Sequence, residues 1–302
     1  RGVVELLREG GEWLLRLHVE ERERTTQGTP FVLYAATNRL QHRFKDILRQ
    51  TDFVEIVDLP MVEARQHLEH GRYLDLLTDH ALAQGCSHLC SMDMDAWPIQ
   101  TGWADALAEK VADAQSPVAA VLRLENGDTA LTHPLTTFAR ASFFRETGAQ
   151  FWPDPETIRS KEYKQFLSET GQRADTGIGI AYALWKNHLD WHRLTRSNTK
   201  DLHYLLAGVY GDLVFHLGSV TAKKLFAADE PTWIMRLTAP CQKSPLIWSH
   251  MWKVVKFVHE YLPPKIIRDN TAVHASIKNA LRDRRQSFYR ELLDTRQADP
   301  AH

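Results

Sequence analysis

Long apolar runs, surplus charge and cysteine are what this sequence has least of. No uninterrupted run of about 18 apolar residues occurs, which excludes a membrane-spanning helix. The formal net charge is -1 and the isoelectric point about 7. No global basic field therefore exists to hold nucleic acid. The three cysteines are Cys86, Cys90 and Cys241. The first two have the wrong spacing for a zinc knuckle, and Cys241 has no obvious mate. They read as reduced thiols, which favours a cytoplasmic protein. The chain opens at Arg1 with nothing that reads as a signal peptide.

What is present is an ordinary globular composition, 43% hydrophobic and 25% charged, enough to bury a sizeable core without metal or disulfide staples. A length of 302 residues suits one large α/β domain, alone or with a helical appendage. Residues 1–28 are charged and end in Glu20-Glu21-Arg22-Glu23-Arg24, the pattern of a solvated lead-in element followed by a linker. Residues 29–243 then read as the main domain. Phe31–Ala36 is a short apolar run bounded by Pro30 and by Thr37-Asn38, and Phe53–Val57 is a second ending at Asp58. Both read as buried strands. Residues 62–84 carry apolar side chains at helical spacing, and Gly85 supplies a stop. His88–Met92 reads as a third strand and Pro117–Leu124 as a fourth. Strands alternating with helices predict a mostly parallel, doubly wound, Rossmann-like sheet. In such sheets ligands rest beyond the carboxyl ends of the strands, so the residues just after each strand matter most.

After the third strand comes Met92-Asp93-Met94-Asp95-Ala96-Trp97-Pro98. Two carboxylates this close at a strand end are costly to bury unless a cation meets them. Hard oxygen ligands suit Mg²⁺ or Mn²⁺, which bridge carboxylate and diphosphate oxygens. The plain alternative is an exposed acidic turn. Thr37, Asn38 and Asp58 lie where a nucleotide would rest. His70-Gly71-Arg72-Tyr73-Leu74 contains a glycine that would allow a ligand close to the backbone. Much later, Gly211-Asp212-Leu213-Val214-Phe215-His216-Leu217-Gly218 sets one histidine in an apolar strand between glycines. Such a residue is either a satisfied core histidine or an imidazole completing an Asp/Asp/His metal site.

The order of these signals over roughly residues 30–220 resembles the GT-A glycosyltransferase fold, and in particular the inverting family 2-like group. The matching pieces are the Thr37-Asn38 strand end, the His70-Gly71 and Leu74 helix, Asp93-Met94-Asp95 with Pro98 and Gly102-Trp103 behind it, and Gly211-Asp212 leading to His216. The resemblance implies that Asp95 is a direct metal ligand and that Asp93 lies nearer the ribose or a metal-bound water. It further implies that His216 is the third protein ligand, that Asp58 meets the base, and that Thr37, Asn38, His70, Gly71, Leu74 and Met92 line the nucleotide-sugar. The implied partners are a UDP- or GDP-type sugar donor and a glycan or lipid-linked acceptor.

Between these motifs lies Arg173-Ala174-Asp175-Thr176-Gly177-Ile178-Gly179. It is not a dinucleotide fingerprint, because Tyr182 holds the third glycine position. Asp175 is either the N-cap of a helix or, as the resemblance implies, the acidic base of the acceptor side. Ala174 departs from the acidic pair usual there. Residues 133–153 are rich in aromatics, which are core material or sugar-stacking faces. Arg123 and Arg140 suit either an anion contact or the surface. After Pro245, residues 244–302 form a helical appendage with Trp248, Met251, Trp252, Val255 and Leu262 at helical spacing. Lys253, Lys256, His259 and Lys265 around them raise a second reading, a basic aromatic face resting peripherally on the inner face of a membrane. A second charged helix follows over 271–295. The expected activity is metal-dependent transfer of a sugar to a hydroxyl. A sugar-phosphate nucleotidyltransferase is the nearest rival, disfavoured because Ala35-Ala36-Thr37-Asn38 lacks a glycine-rich phosphate loop. A non-catalytic nucleotide-sugar-binding or scaffold protein is the other.

Overall fold

The computed structural model describes residues 11–38, 40–64, 66–198, 202, 205–218, 224–226, 267–269 and 271–294. The expectations placed on Cys241 and on the Trp248/Trp252 segment fall outside the described residues.

In chain order the elements are α1 (Gly11–Thr25), β1 (Leu33–Ala36), α2 (His42–Arg49), β2 (Val54–Val57), α3 (Gln66–Ala83), β3 (His88–Met92), β4 (Ala96–Pro98), α4 (Trp103–Lys110) and β5 (Val118–Val121). They continue with β6 (His133–Arg140), α5 (Ala141–Thr147), α6 (Pro155–Arg159), α7 (Lys161–Thr170), α8 (Ile178–Lys186), β7 (His192–Leu194), β8 (Gly208–Tyr210) and β9 (Val214–His216). The last are β10 (Lys224–Phe226), β11 (Ile267–Asp269), α9 (Thr271–Asp283) and α10 (Arg285–Asp294). Gly85 stops α3 at a φ of 78°, with its N–H and that of Cys86 bonded to Leu82 O and Ala81 O. The all-apolar Val118-Ala-Ala-Val segment is a fully buried strand.

The class is mixed α/β, but the sheets are not one parallel, doubly wound array. β1 and β2 pair in parallel. β3, β6, β5 and β7 form a four-stranded sheet in that order. Within it β6 runs antiparallel to both neighbours, while β5 and β7 are parallel. The physical cause lies in the connection. Between β5 and β6 there is only a short 3₁₀ turn, Leu124–Asn126, and a parallel return would need a full crossover element. β6 runs from His133 to Arg140, so the first part of the aromatic-rich 133–153 stretch is a central strand. β4, β9 and β8 form a separate antiparallel sheet.

Residues 1–28 are not a solvated lead-in where they are described. In α1, Leu14 and Leu17 share a core with Trp97 of β4, Phe215 of β9 and Ile277, Leu281, Phe288 and Tyr289 of α9 and α10. Leu15 and Val19 pack instead with Phe44, Ile47 and Leu48 under β1 and β2. The acidic and basic residues of α1 are tolerated because they are partnered. Buried Glu21 accepts from Arg24 Nη2 at 2.7 Å and from Arg285 Nη1 at 2.8 Å. Trp97 Nε1 donates to Tyr289 Oη at 2.6 Å. The first and the last two described helices thus close on the small antiparallel sheet. The charged stretch over 271–295 is two helices, broken at Arg284.

Candidate functional site

Asp93, Met94 and Asp95 form the turn by which the chain leaves the four-stranded sheet and enters the three-stranded one. The turn is anchored on every side. Asp93 N–H donates to Leu135 O of β6 at 3.2 Å, and Ala96 N–H closes back on Asp93 O at 3.0 Å. Met94, between the two acids, packs against both the α1/α10 core and the cluster under β1 and β2. An apolar residue in the middle of the motif therefore fixes how the two carboxylates are held.

The register of β4 on β9 brings in the histidine. Ala96 lies opposite His216, and Leu217 N–H extends the ladder to Asp95 O at 2.9 Å. His216 Nε2 then lies 3.5 Å from Asp95 Oδ2, both side chains largely buried. From α3, His70 Nε2 approaches Asp93 Oδ1 at 3.5 Å. Four of the residues singled out in the sequence, His70, Asp93, Asp95 and His216, are thus gathered at one place. Burial pushes the Asp93 carboxyl above its ordinary range; His70 opposes that rise and Asp95 adds to it. Burial acts in the same direction on Asp95, but the His216 imidazole and the Arg123 guanidinium outweigh it and hold Asp95 low. The two carboxyls of the turn are thus shifted in opposite directions, Asp93 up and Asp95 down.

Arg123 follows β5, and its charge touches both halves of the site. Burial disfavours its cation, but Tyr210, Glu125, Asp128 and Asp95 around it reverse the balance and raise its pKa. Glu125 accepts a hydrogen bond from Tyr210 Oη and lies 3.8 Å from both Arg123 Nε and Arg196 Nη1. Asp128 is buried too, and burial pushes its carboxyl to about 7, with Arg123 opposing and Glu125 and Asp175 adding to the rise. Glu125, Asp128 and Tyr210 are residues that sequence reasoning passed over. Their signal was available, since Arg123-Leu-Glu-Asn-Gly-Asp128 follows an apolar strand as Thr37-Asn38 follows β1.

Asp175 is not an N-cap. Helix α8 is capped by Gly177 at a φ of 98°, with no side-chain cap bond. The Asp175 carboxylate accepts instead from the neighbouring Thr176 N–H at 2.7 Å. It is half-buried, and its charge reaches Asp128. Gly177 and Gly179 serve packing: a Cβ on Gly177 would come 2.0 Å from Thr132 O, and one on Gly179 would come 2.3 Å from Gln150 O.

Thr37, Asn38 and Asp58 form a second group. Parallel pairing sets Ala36 opposite Val57, so Thr37 and Asp58 stand side by side at the strand ends. Asn38 Nδ2 bonds Leu59 O at 2.5 Å and ties the two loops together. Thr37 is buried and Asp58 exposed. Three other sequence-predicted residues have a packing role. The missing Cβ of Gly71 makes room for Trp152 and not for a ligand, since a Cβ there would lie 2.7 Å from Trp152 Cβ. Leu74 packs on the core around Val118, Phe143 and Phe151. Met92 rests against the core beside β5 and β6. Arg140 ends β6 opposite His88, at the other end of β3 from Asp93.

Among the described residues no group of three or more His, Cys, Asp or Glu side chains is placed so that it could hold a metal ion by itself. Among them, too, no helix is long and apolar enough to cross a membrane. Comparison of the chain with models of known protein families, with curated proteins and with solved structures finds no match.

Proposed function

We propose that the chain is a GT-A-type glycosyltransferase that moves a sugar from a nucleotide-diphosphate donor to a hydroxyl acceptor with a divalent cation at the Asp93–Asp95 turn. The observation that carries this reading is the meeting of His216 with Asp95 at 3.5 Å beside a second buried carboxyl, Asp93. The donors are two carboxylates and one imidazole. They suit Mn²⁺ or Mg²⁺ better than a soft metal, and they supply only part of a coordination shell. A cation held there would need diphosphate oxygens to complete its shell.

Asp95 and His216 would hold the cation, with Asp93 beside them. When bound, that cation would neutralise charge on the departing diphosphate. The remaining roles belong to the protein's own groups. Thr37, Asn38 and Asp58 at the ends of β1 and β2 would receive the nucleoside, because strand ends of an α/β sheet present backbone and short polar groups to a ligand. Arg123, kept cationic by the acids around it, would add a fixed positive charge near the diphosphate. Asp175 would take the proton of the acceptor hydroxyl as the new glycosidic bond forms and the bond to the diphosphate breaks. Inversion at the anomeric carbon follows if the base and the leaving group lie on opposite faces of the sugar.

The test is calorimetry of UDP and GDP with and without Mn²⁺. Asp95→Ala is expected to abolish metal-dependent nucleotide binding while preserving the melt, and His216→Ala to weaken it less. A ligand at 100 times its Kd should add about 2.7 kcal/mol of stability to the wild-type chain. Unchanged nucleotide and Mn²⁺ affinity in Asp95→Ala would sink the reading.

A further inference from the structure

A second concave surface lies away from the Asp93–Asp95 turn. It is an open groove of about 620 Å³ between α3, the segment after β2 and the 150–159 stretch, within the size range of small-ligand sites. Leu68, Arg72, Asp75, Leu76 and Asp79 line it from α3. Their spacing puts them on one helical stripe, and His70, two residues from Leu68, lies on the opposite side of the helix. The groove therefore opens across α3 from the acid turn.

Its opposite wall is centred on Trp152, with Gln150, Ile158 and Arg159 around it. That wall is rigidly built. Asp75 Oδ1 accepts the Phe151 N–H at 2.5 Å, and Gly177 N–H donates to Phe151 O at 2.9 Å. The absent Cβ groups of Gly71 and Gly179 let α3 and α8 close on Trp152 and Gln150. Pro153 and Pro155 restrict the backbone on either side of Asp154. Asp154 in turn caps α6 through Glu156 N–H and Thr157 N–H at 2.8 and 2.9 Å. With the backbone on both sides of Trp152 and its Cβ held in this way, less freedom is left to lose when a ligand covers the wall.

The chemistry of the lining selects the ligand class. Arg72 and Arg159 face Glu63, Asp75 and Asp79. Burial pushes the Asp75 carboxyl up to about 7, against the pull of its backbone bonds and Arg72. Its Oδ2 is buried with no hydrogen-bond partner, and Arg72 Nη1 is 3.8 Å away. The formal charges therefore nearly cancel, and the groove has no field to hold a phosphate or a polycation. Its walls are helices and a loop, without a free strand edge for an extended peptide. Carboxyls, an amide and guanidinium groups interrupt the apolar surface that a lipid tail would need. What fits is a neutral ligand whose groups both donate and accept hydrogen bonds and whose flat C–H face can lie on an indole.

We propose that this groove binds a neutral oligosaccharide, with Trp152 as the stacking platform and Asp79, Gln150 and Arg159 as hydroxyl partners. It rests on the proposed transfer only in treating the bound glycan as the remote part of an acceptor chain. The probes are maltotetraose, cellotetraose and chitotetraose, titrated into the full chain and followed by the Trp152 indole N–H resonance and by calorimetry. Trp152→Phe assigns the resonance. At least one tetrasaccharide is expected to bind saturably and to move that resonance. Asp79→Asn combined with Arg159→Ala, both exposed in the free chain, should weaken binding about tenfold without moving Tm. Trp152→Ala should abolish it, and the exposed pair keeps the test valid if that variant folds poorly. Absence of saturable binding by all three sugars overturns the proposal, as does undiminished binding by the double variant. A stronger response to an apolar peptide or to neutral phosphatidylcholine vesicles also overturns it. Asp95→Ala should bind the tetrasaccharide normally. Loss of sugar binding with intact Asp95-dependent nucleotide binding would sink the groove alone, and the converse would sink the transferase alone.

Discussion

Asp75 shows how one side chain couples the fold to pH. Its carboxyl is raised to about 7, chiefly by burial. A carboxyl with a raised folded-state pKa binds its proton more tightly when folded than when unfolded. Below about pH 4 both states are protonated and nothing is gained or lost. As pH climbs from there to about 7, the unfolded chain ionises first and stability falls; above that the loss is constant. Asp75→Asn keeps an oxygen for the Phe151 N–H and removes the ionisation. It should leave stability near pH 4 unchanged and raise it at pH 7.5 by on the order of 2–4 kcal/mol. Urea titrations at the two pH values measure the difference. Asp128, raised to about 7 in the same way, should leave a residual slope in the variant. Equal gain at both pH values would show that Asp75 is not titrating in this window.

At the same scale, Gly102 and Gly177 separate two costs that glycine avoids. Both have positive φ, 77° and 98°. A Cβ on Gly102 meets nothing within 4 Å, whereas one on Gly177 meets Thr132 O at 2.0 Å. Gly102→Ala should cost about 1–2 kcal/mol, the left-handed strain alone. Gly177→Ala adds a backbone collision and should cost about 3 kcal/mol or more. Chemical denaturation of the two variants gives the ratio, and equal losses would mean that the 132 and 177 segments separate easily.

Among the elements, those legible in the sequence are the ones whose signal is local. β1, β2, β3, α3 and its Gly85 stop follow from short apolar runs and helical spacing bounded by breakers. β6 does not, because its neighbours are chosen by distant pairing, and Phe138 and Leu135 look the same in a core strand as in a sugar platform. The candidate site divides in the same way. Asp93 and Asp95 stand out by type and place. His216 stands out only as an isolated imidazole, and the β4–β9 register is what delivers it to Asp95. Arg123, Glu125 and Asp128 come from one segment and Tyr210 from another, and only the folded chain joins the two into a buried network. Arg123→Gln should therefore leave unpaired acids around it and reduce Mn²⁺-dependent nucleotide affinity more than Arg140→Gln, which lies at the far end of β6. Calorimetry of the two variants makes the comparison, and equal losses would remove Arg123 from the site.

For the whole molecule, the question is whether the C-terminal helices are an appendage or part of the core. Sequence patterning puts a boundary near residue 244, yet Ile277, Leu281, Phe288, Tyr289 and Leu292 are buried in the same cluster as Leu14, Trp97 and Phe215. Trp97 and Phe215 belong to β4 and β9, the two strands that hold Asp95 and His216 together. A chain ending at residue 270 would expose these aromatic side chains and leave buried Glu21 without Arg285. Each fully buried large apolar side chain contributes about 1.5–3 kcal/mol, and folded domains retain only about 5–15 kcal/mol in total. Loss of five such side chains is comparable to that whole margin. The shortened chain should therefore lose its cooperative melt, bind hydrophobic dye, and lose Mn²⁺-dependent nucleotide binding together with the fold. Calorimetric melting of the 1–270 chain decides the matter: a cooperative transition with nucleotide binding intact would restore the helices to the status of an appendage. The opposite result would make the packing of α1 against α9 and α10 a condition for the meeting of Asp95 and His216.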